Sequence, residues 1–274
     1  MIHVIRSEWI KFRSVRSTVL LVLAAGLLVV VVAFFAARSE NHDAASGFCR
    51  PDIATTPAGS GSSSEGQGQA RSVQASSKPC PINFGDITVG IPFALFLFGA
   101  LGVQIIGQEY RFSTIRPTFT AVPRRGRVLA AKLLVVTAAC AVVAAVMLAL
   151  CALLGTVMVH DFTFDGIDQR VAWGTVLFIV GWTALGMGVG SIVRQPIAGM
   201  LILLVEAFVL ENLLRHLVHG SGKWLPFVNG IQMTFRDPDH SGELRSVTGG
   251  GIYFFVVAAV IWAVGAVLAH RRDA

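Results

Sequence analysis

Six apolar runs, each long enough to cross the hydrocarbon core of a bilayer, set the limits on what this 274-residue chain can fold into. They are Ser17–Ala37, Ile87–Gly107, Leu133–Val159, Val171–Val193, Ile197–Leu214 and Gly251–Ala269. A spanning helix needs about 20 mainly apolar residues. In lipid every backbone N–H and C=O must be paired within the protein, and a run of this kind does that as a helix. Only 14% of the residues are charged, where a soluble domain carries about 25%. Buried helices of a large soluble protein are the alternative, and six runs of spanning length argue against it. The expected fold class is therefore an all-α integral membrane protein, one domain over residues 1–274 with six transmembrane helices. The first run exceeds the roughly 7–15 apolar residues of a signal peptide. It also has no small-x-small cleavage site before Arg38, so it reads as a permanent span.

Charge sets the orientation. With both termini in the cytoplasm, thirteen of the 22 basic residues fall on the inner side, within short segments next to the spans, and nine fall outside. Eleven acidic residues fall outside and three inside. That is the positive-inside pattern, and it accounts for the net charge of +6. A nucleic-acid footprint would need a basic face on a soluble domain. None is visible, and no nucleic-acid partner is expected.

Residues 38–86 then form an outer loop. Its stretch from Thr55 to Ser77 is rich in Gly, Ser, Gln and Ala and has too few apolar residues to stabilise a core, so it reads as flexible. Cys49 and Cys80 flank it on the oxidising side. Either they form a disulfide, worth about 3 kcal/mol for a loop of this size, or they are two free thiols; the disulfide is the expectation. Cys140 and Cys151 lie inside the third run and read as packing residues.

Two inner segments have internal order. Ile2, Ile5, Trp9 and Phe12 recur at helical spacing, with Arg6, Lys11, Arg13 and Arg16 largely off that face. Residues 1–16 are thus expected to lie flat at the inner membrane surface with Trp9 at headgroup depth. The connector 108–132 carries six basic residues. Within it a short helical piece is expected from Phe112 to Ala121, bounded by Glu109 before and Pro123-Arg124-Arg125 after. It reads as a docking surface presented to something in the cytoplasm.

On these residues the chain resembles a permease subunit of the type-2 ATP-binding-cassette (ABC) transporters. That family has six spans, both termini inside and an amphipathic elbow helix before the first span, which residues 2–16 resemble. Its loop between spans two and three carries Glu, then Thr-Ile/Leu-Arg, then Pro-Arg-Arg, then Ala-Lys. Here these are Glu109, Thr114-Ile115-Arg116, Pro123-Arg124-Arg125 and Ala131-Lys132. Gly186-Met187-Gly188-Val189-Gly190-Ser191-Ile192-Val193-Arg194 is similar to the family's fourth span and its exit. Leu225-Pro226-Phe227 with Asn229-Gly230 is similar to the Leu-Pro motif of the last outer loop, here residues 215–250, which in relatives re-enters the membrane as short helices. The resemblance implies an ATPase-coupling element made of Glu109, Tyr110, Arg111, Phe112, Ser113, Thr114, Ile115, Arg116, Pro117, Thr118, Phe119, Pro123, Arg124 and Arg125. It also implies two copies of an ABC ATPase subunit that bind ATP and Mg, a second permease subunit forming a homodimer, and a bacterial plasma membrane location. The long Gly/Ser-rich first outer loop departs from the family's simplest form. So does Pro117, which shortens or kinks a helix there.

The chain carries no nucleotide-binding motif of its own. His219-Gly220-Ser221-Gly222-Lys223-Trp224 mimics the end of a P-loop, but Leu217 stands at the first Gly position and Trp224 where a Ser or Thr would hold Mg. His216 and His219 read as an interfacial polar pair, and no metal site is expected. Glu206 and Glu211 are the acidic residues inside a span, the usual pointers to function. Glu211 lies one turn before Arg215 and is expected to pair with it; Glu206 has no evident partner in its own helix. Gly186 and Gly190 form a small-x-x-x-small pair suited to close helix contact. Gly249-Gly250-Gly251 reads as a pliable entry to the last span.

The expected function is export of a hydrophobic or amphipathic substrate by a permease that is not itself an enzyme and draws on ATP hydrolysed by another chain. Two alternatives belong to other classes: an ion-coupled carrier using Glu206, and a structural or sensory membrane subunit that reads its surroundings through the outer loop.

Overall fold

The computed structural model describes residues 6–10, 16–46, 82–88, 90–112, 125–159, 162–218, 220–238 and 244–272. Six of its helices are long and apolar enough to cross a membrane, and their spanning parts are Leu20–Ser39, Ile91–Arg111, Val128–Met158, Gly166–Val193, Pro196–Leu217 and Val247–Ala269. The described residues form an almost entirely helical, multi-pass membrane bundle.

Residues 6–10 are helical. The first span lies in α1, Arg16–Ser46. A two-residue strand, Ile82–Asn83, and a short α2, Phe84–Ile87, precede α3, Ile91–Arg111. The expected start at Ile87 moves to Ile91 because Gly90 and Pro92 open a new helix there: Pro is tolerated in a first turn, where its missing N–H is not needed. Helix α4, Arg125–Met158, begins eight residues before the apolar run. The second strand, Phe162–Thr163, pairs in parallel with the first (Ile82 with Phe162), tying the chain before α3 to the chain after α4.

Helix α5, Gly166–Val193, starts five residues before the expected Val171 because of a capping box. Asp165 Oδ1 accepts from the N–H groups of Ile167 (2.9 Å) and Asp168 (3.0 Å), and Asp168 Oδ2 accepts from the Asp165 N–H (3.2 Å). It ends at Arg194, whose positive φ of 59° turns the chain into Pro196. The fifth span has three parts: α6 (Pro196–Leu204), a π-helical turn (Val205–Leu210) and α7 (Glu211–Leu217). The chain then folds back through a 3₁₀ turn (Ser221–Trp224), α8 (Pro226–Ile231) and a second 3₁₀ turn (Gln232–Thr234), and closes with α9, Val247–Arg272.

Helix α5 is the hub, packed against α3, α4, α6 and α9. Buried residues make up 67% of its spanning window, against 22% for spans one, five and six. The peripheral helices turn apolar rows outward: Leu20, Leu23, Leu27 and Val31 on α1, and Ile252, Val256, Val260 and Val264 on α9. That is the arrangement lipid requires and water would penalise. Glycine sets the approach to the hub. A Cβ at Gly186 would meet the Gly99 carbonyl at 2.6 Å, one at Gly190 the Val103 carbonyl at 2.8 Å, and one at Gly102 the Thr183 carbonyl. The pair at 186 and 190 thus brings the α3 and α5 backbones together, as its spacing predicts. Trp182 Nε1, buried beside that crossing, donates to the Leu95 carbonyl (2.8 Å), so the indole contributes bulk without an unpaired donor.

Candidate functional site

At one end of the bundle three elements meet on a buried charge. Lys132, at the end of the second turn of α4 and just before its apolar run, is 4% exposed and so is Glu8. Lys132 Nζ lies 2.6 Å from Glu109 Oε1 and 2.7 Å from Glu8 Oε2. A lone ammonium in this position would be very costly; two carboxylates from different elements compensate it. The N-terminal helical turn is thereby fastened to the end of α3 and the start of α4. Glu109, expected at a docking surface, is instead turned inward because the buried Lys132 needs a counter-charge.

Tyr110 and Arg111 occupy the last turn of α3, followed by Phe112. The Arg194 guanidinium lies over the Tyr110 ring at 4.6 Å, which links the exits of α3 and α5 at this same end. Arg111 lies over the Phe112 ring at 5.8 Å, and Phe112 is 66% exposed. Ser113, Thr114, Ile115, Arg116, Pro117, Thr118, Phe119, Pro123 and Arg124 lie outside the described residues, as does most of the expected helix 112–121; Arg125 is the first residue of α4. Of the amphipathic face, Trp9 is described and 49% exposed, while Ile2, Ile5 and Phe12 are not described.

The other end of the bundle is organised by Glu211. It is 2% exposed, and its two oxygens accept from the backbone N–H groups of Phe227 (2.9 Å) and Val228 (2.7 Å) in the first turn of α8. The expected pairing with Arg215 gives way to this one because Pro226 and its successors bring two unmet helix-start donors to the carboxylate. The π turn changes the surroundings of Glu206 as well. In an α-helix, residues five apart point about 140° away from each other; i→i+5 bonding sets them above one another. The Glu211 N–H bonds the Glu206 carbonyl, and the two carboxyl side chains interact. The partner that Glu206 lacks on α-helical spacing is therefore Glu211.

The segment held by Glu211 re-enters the bundle. Phe227 packs on Trp182 (4.9 Å between ring centroids), Phe208 (5.2 Å) and Phe178 (5.7 Å), and Phe178 on Phe254 (4.8 Å). Asn229 is fully buried: its Nδ2 donates to the carbonyls of Gly222 (2.6 Å) and Leu225 (2.7 Å), and its Oδ1 accepts from the Arg245 N–H (2.9 Å). The Leu-Pro-Phe and Asn-Gly residues thus build a compact plug. Gly249–Gly251 lie within α9, and Gly250 and Gly251 form a notch for that plug: a Cβ at Gly250 would meet the Asn229 carbonyl at 2.7 Å, and one at Gly251 the Met233 sulfur at 2.6 Å.

A latch closes the plug's far side. Arg236 Nη1 lies 2.6 Å from Asp168 Oδ1 and Nη2 lies 2.7 Å from Asp165 Oδ2, while Arg170 Nη2 donates to the carbonyls of Phe235 (3.3 Å) and Arg236 (3.0 Å). The Asp168 N–H and then the Arg236 guanidinium hold the Asp165 carboxyl below its ordinary range.

Sequence reasoning missed the Glu8–Lys132 contact and the joining of Glu206 to Glu211. The first had a signal: an acid in an otherwise basic N-terminal segment, and a Lys inside the start of an apolar helix. The second depends on a π turn, which has no residue signature. Cys140 and Cys151 are buried, as expected; Cys49, Cys80 and His219 lie outside the described residues.

Fold and site together define a six-helix membrane bundle with a broken fifth span and a plug packed back against its helices. No family model, curated protein or solved structure matches the chain.

Proposed function

We propose that the chain is the permease subunit of a type-2 ABC exporter, acting as one half of a homodimer with two ATPase subunits and moving a hydrophobic or amphipathic substrate outward across a bacterial plasma membrane. The observation that carries this reading is the contact of Lys132 with both Glu8 and Glu109. The resemblance singles out the N-terminal elbow and the loop between spans two and three as the parts that receive force from an ATPase. Here a buried ion triad joins the flanks of those two parts, which supports their moving together. ATP binding and Mg belong to the partner; a push on the connector would travel through Glu109 and Lys132 to the N-terminal helix and through Gly99 and Gly102 to α5. Such a drive needs differential contact with two states of the permease, and a rigid corner supplies a lever for it.

The test is purification of the tagged chain from its native membrane at native expression level. A co-purifying ATPase, with ATP hydrolysis stimulated by transport and uncoupled by Arg125→Glu, supports the reading. A chain that transports without any ATPase rejects it.

The interaction of Glu206 with Glu211 favours one second reading, an ion-coupled carrier, because two neighbouring carboxyls inside a span can bind a cation or exchange a proton. It predicts transport driven by an ion gradient alone and abolished by Glu206→Gln.

A further inference from the structure

At the plug end of the bundle, where α7 finishes and α9 starts, the Arg245 side chain is anchored on the backbone of Lys223, whose own side chain is exposed. Arg245 is fixed twice: its backbone N–H donates to Asn229 Oδ1 (2.9 Å) and its side-chain Nε donates to the Lys223 carbonyl (2.8 Å). Its guanidinium lies over the rings of Tyr253 (4.7 Å) and Trp224 (5.7 Å), and Tyr253 Oη donates to the Trp224 carbonyl (2.8 Å). These contacts position the guanidinium without neutralising it. Among the described residues neither Lys223 nor Arg245 has a carboxylate partner. Two basic residues gathered at the rim of a low-dielectric body favour the approach of an anion from outside.

The surroundings say which anion. Trp224 is 70% exposed, and on either side run apolar rows that face outward: Leu213 and Leu217 on α7, Ile252 and Val256 on α9. An exposed indole beside basic groups at the ends of apolar spans is the composition of a membrane–water interface. A free anion would find the charges but not the apolar rows; a phospholipid matches both, with acyl chains along α7 and α9 and its phosphate at the rim.

We propose that Lys223, Trp224, Arg245 and Tyr253 form a seat for one anionic phospholipid in the leaflet at this end of the bundle. The assignment holds whichever side of the membrane that end faces, and it does not depend on the transport reading. A basic residue at a membrane surface contributes about fivefold in affinity for anionic lipid.

The test uses the full chain in detergent, titrated with phosphatidylglycerol or phosphatidylcholine and read by native mass spectrometry. The expected result is one phosphatidylglycerol retained about 25-fold more tightly than phosphatidylcholine, about fivefold from each of the two basic residues. That preference falls about fivefold in Lys223→Ala, vanishes in Lys223→Glu and persists in Lys223→Arg. Arg38→Glu, an equal change at another exposed cation near a span end, leaves it intact. Equal retention of the two lipids by the unaltered chain overturns the proposal. So does an equal loss in Lys223→Glu and Arg38→Glu, or a preference that survives Lys223→Glu. Thermal unfolding of each variant separates loss of the seat from loss of the fold.

Discussion

Lys132 Nζ stands 2.7 Å from Glu8 Oε2, and the two side chains keep only 5% and 3% of their exposure. Burial of Lys132 requires counter-charge, which Glu8 and Glu109 supply together. Breaking one side of a buried ion pair leaves an uncompensated charge and typically costs about 3–5 kcal/mol, whereas replacing the whole set with apolar residues can be neutral. Glu109 keeps part of the compensation when Glu8 is lost. Glu8→Gln is therefore expected to lower the thermal midpoint in detergent less than Lys132→Met does, since Lys132→Met strands two carboxylates. The exchange Glu8→Lys with Lys132→Glu is expected to recover only part of the loss, because Glu109 then faces a like charge. A double-mutant cycle on unfolding free energy measures this; additive effects of Glu8→Gln and Lys132→Met would show that the pair is not coupled.

Glu211 offers a more local prediction. Its carboxyl group holds two backbone donors of α8, and a hydrogen bond is worth about 0.5–1.5 kcal/mol net, with about 1–3 kcal/mol lost when a buried donor is left unmet. Glu211→Ala should therefore release the first turn of α8 before the bundle itself loosens. Hydrogen exchange at the Phe227 and Val228 amides is the readout: protection is expected to fall by at least tenfold there, while amides in the centre of α5 hold theirs. Glu211→Gln keeps one acceptor oxygen and should fall between. Unchanged exchange at both amides in the Ala variant would mean that aromatic packing around Phe227, not the carboxylate, holds the plug.

These two carboxylates also mark how far the residues alone lead. The six spans were legible because length and apolarity decide them one helix at a time. The close crossing at Gly186 and Gly190 was legible because its spacing is local. The α5 start was not, since Asp165 and Asp168 extend the helix beyond its apolar run through a cap that hydropathy does not register. Glu109 had the residue type of a docking group, but its partner Lys132 is 23 positions away, and only the folded bundle decides which of them is buried. Glu211 was misassigned for a similar reason. Arg215 is its nearest cation in sequence, yet backbone donors 16 and 17 residues away take its oxygens. Local spacing proposes partners, but burial chooses among them.

The latch on Asp165 gives a pH dependence with a definite sign. Its folded carboxyl is held below the ordinary range by the Asp168 N–H and the Arg236 guanidinium. A group whose folded pKa is depressed contributes stability that is present above the unfolded value, about 3.9, and lost as pH falls through the lower folded value. Acidification below about pH 4 should thus weaken the link between α5 and the segment after the plug. Asp165→Asn should remove that part of the acid sensitivity while leaving the neutral-pH midpoint only slightly lower, since the Asp165 carboxyl is exposed to solvent. Melting curves from pH 3 to 7 for both proteins test this; parallel curves over the whole range would exclude Asp165 as a source of the pH dependence.

Glycine substitutions separate packing from helix propensity. At Gly186 an added Cβ would meet the Gly99 carbonyl at 2.6 Å, and at Gly102 it would meet the Thr183 carbonyl; in both cases the obstacle is rigid backbone of the neighbouring span. At Gly126, in the first turn of α4, nothing lies within 4 Å. Alanine is favoured over glycine in a helix by about 0.8–1.0 kcal/mol, so propensity alone predicts a gain at all three positions. The backbone contacts predict otherwise. Gly126→Ala should raise the thermal midpoint slightly, while Gly102→Ala and Gly186→Ala should lower it, each by about 1–3 kcal/mol of overpacking. Gly102→Leu and Gly186→Leu should prevent the α3–α5 crossing from closing. Because α5 also carries α4, α6 and α9, that loss should appear as failure of the whole bundle to leave size exclusion as a single species, not as a local change. If Gly186→Ala were instead as stabilising as Gly126→Ala, the two helices would have to sit farther apart than their carbonyls place them, and the hub role of α5 would fall with that contact.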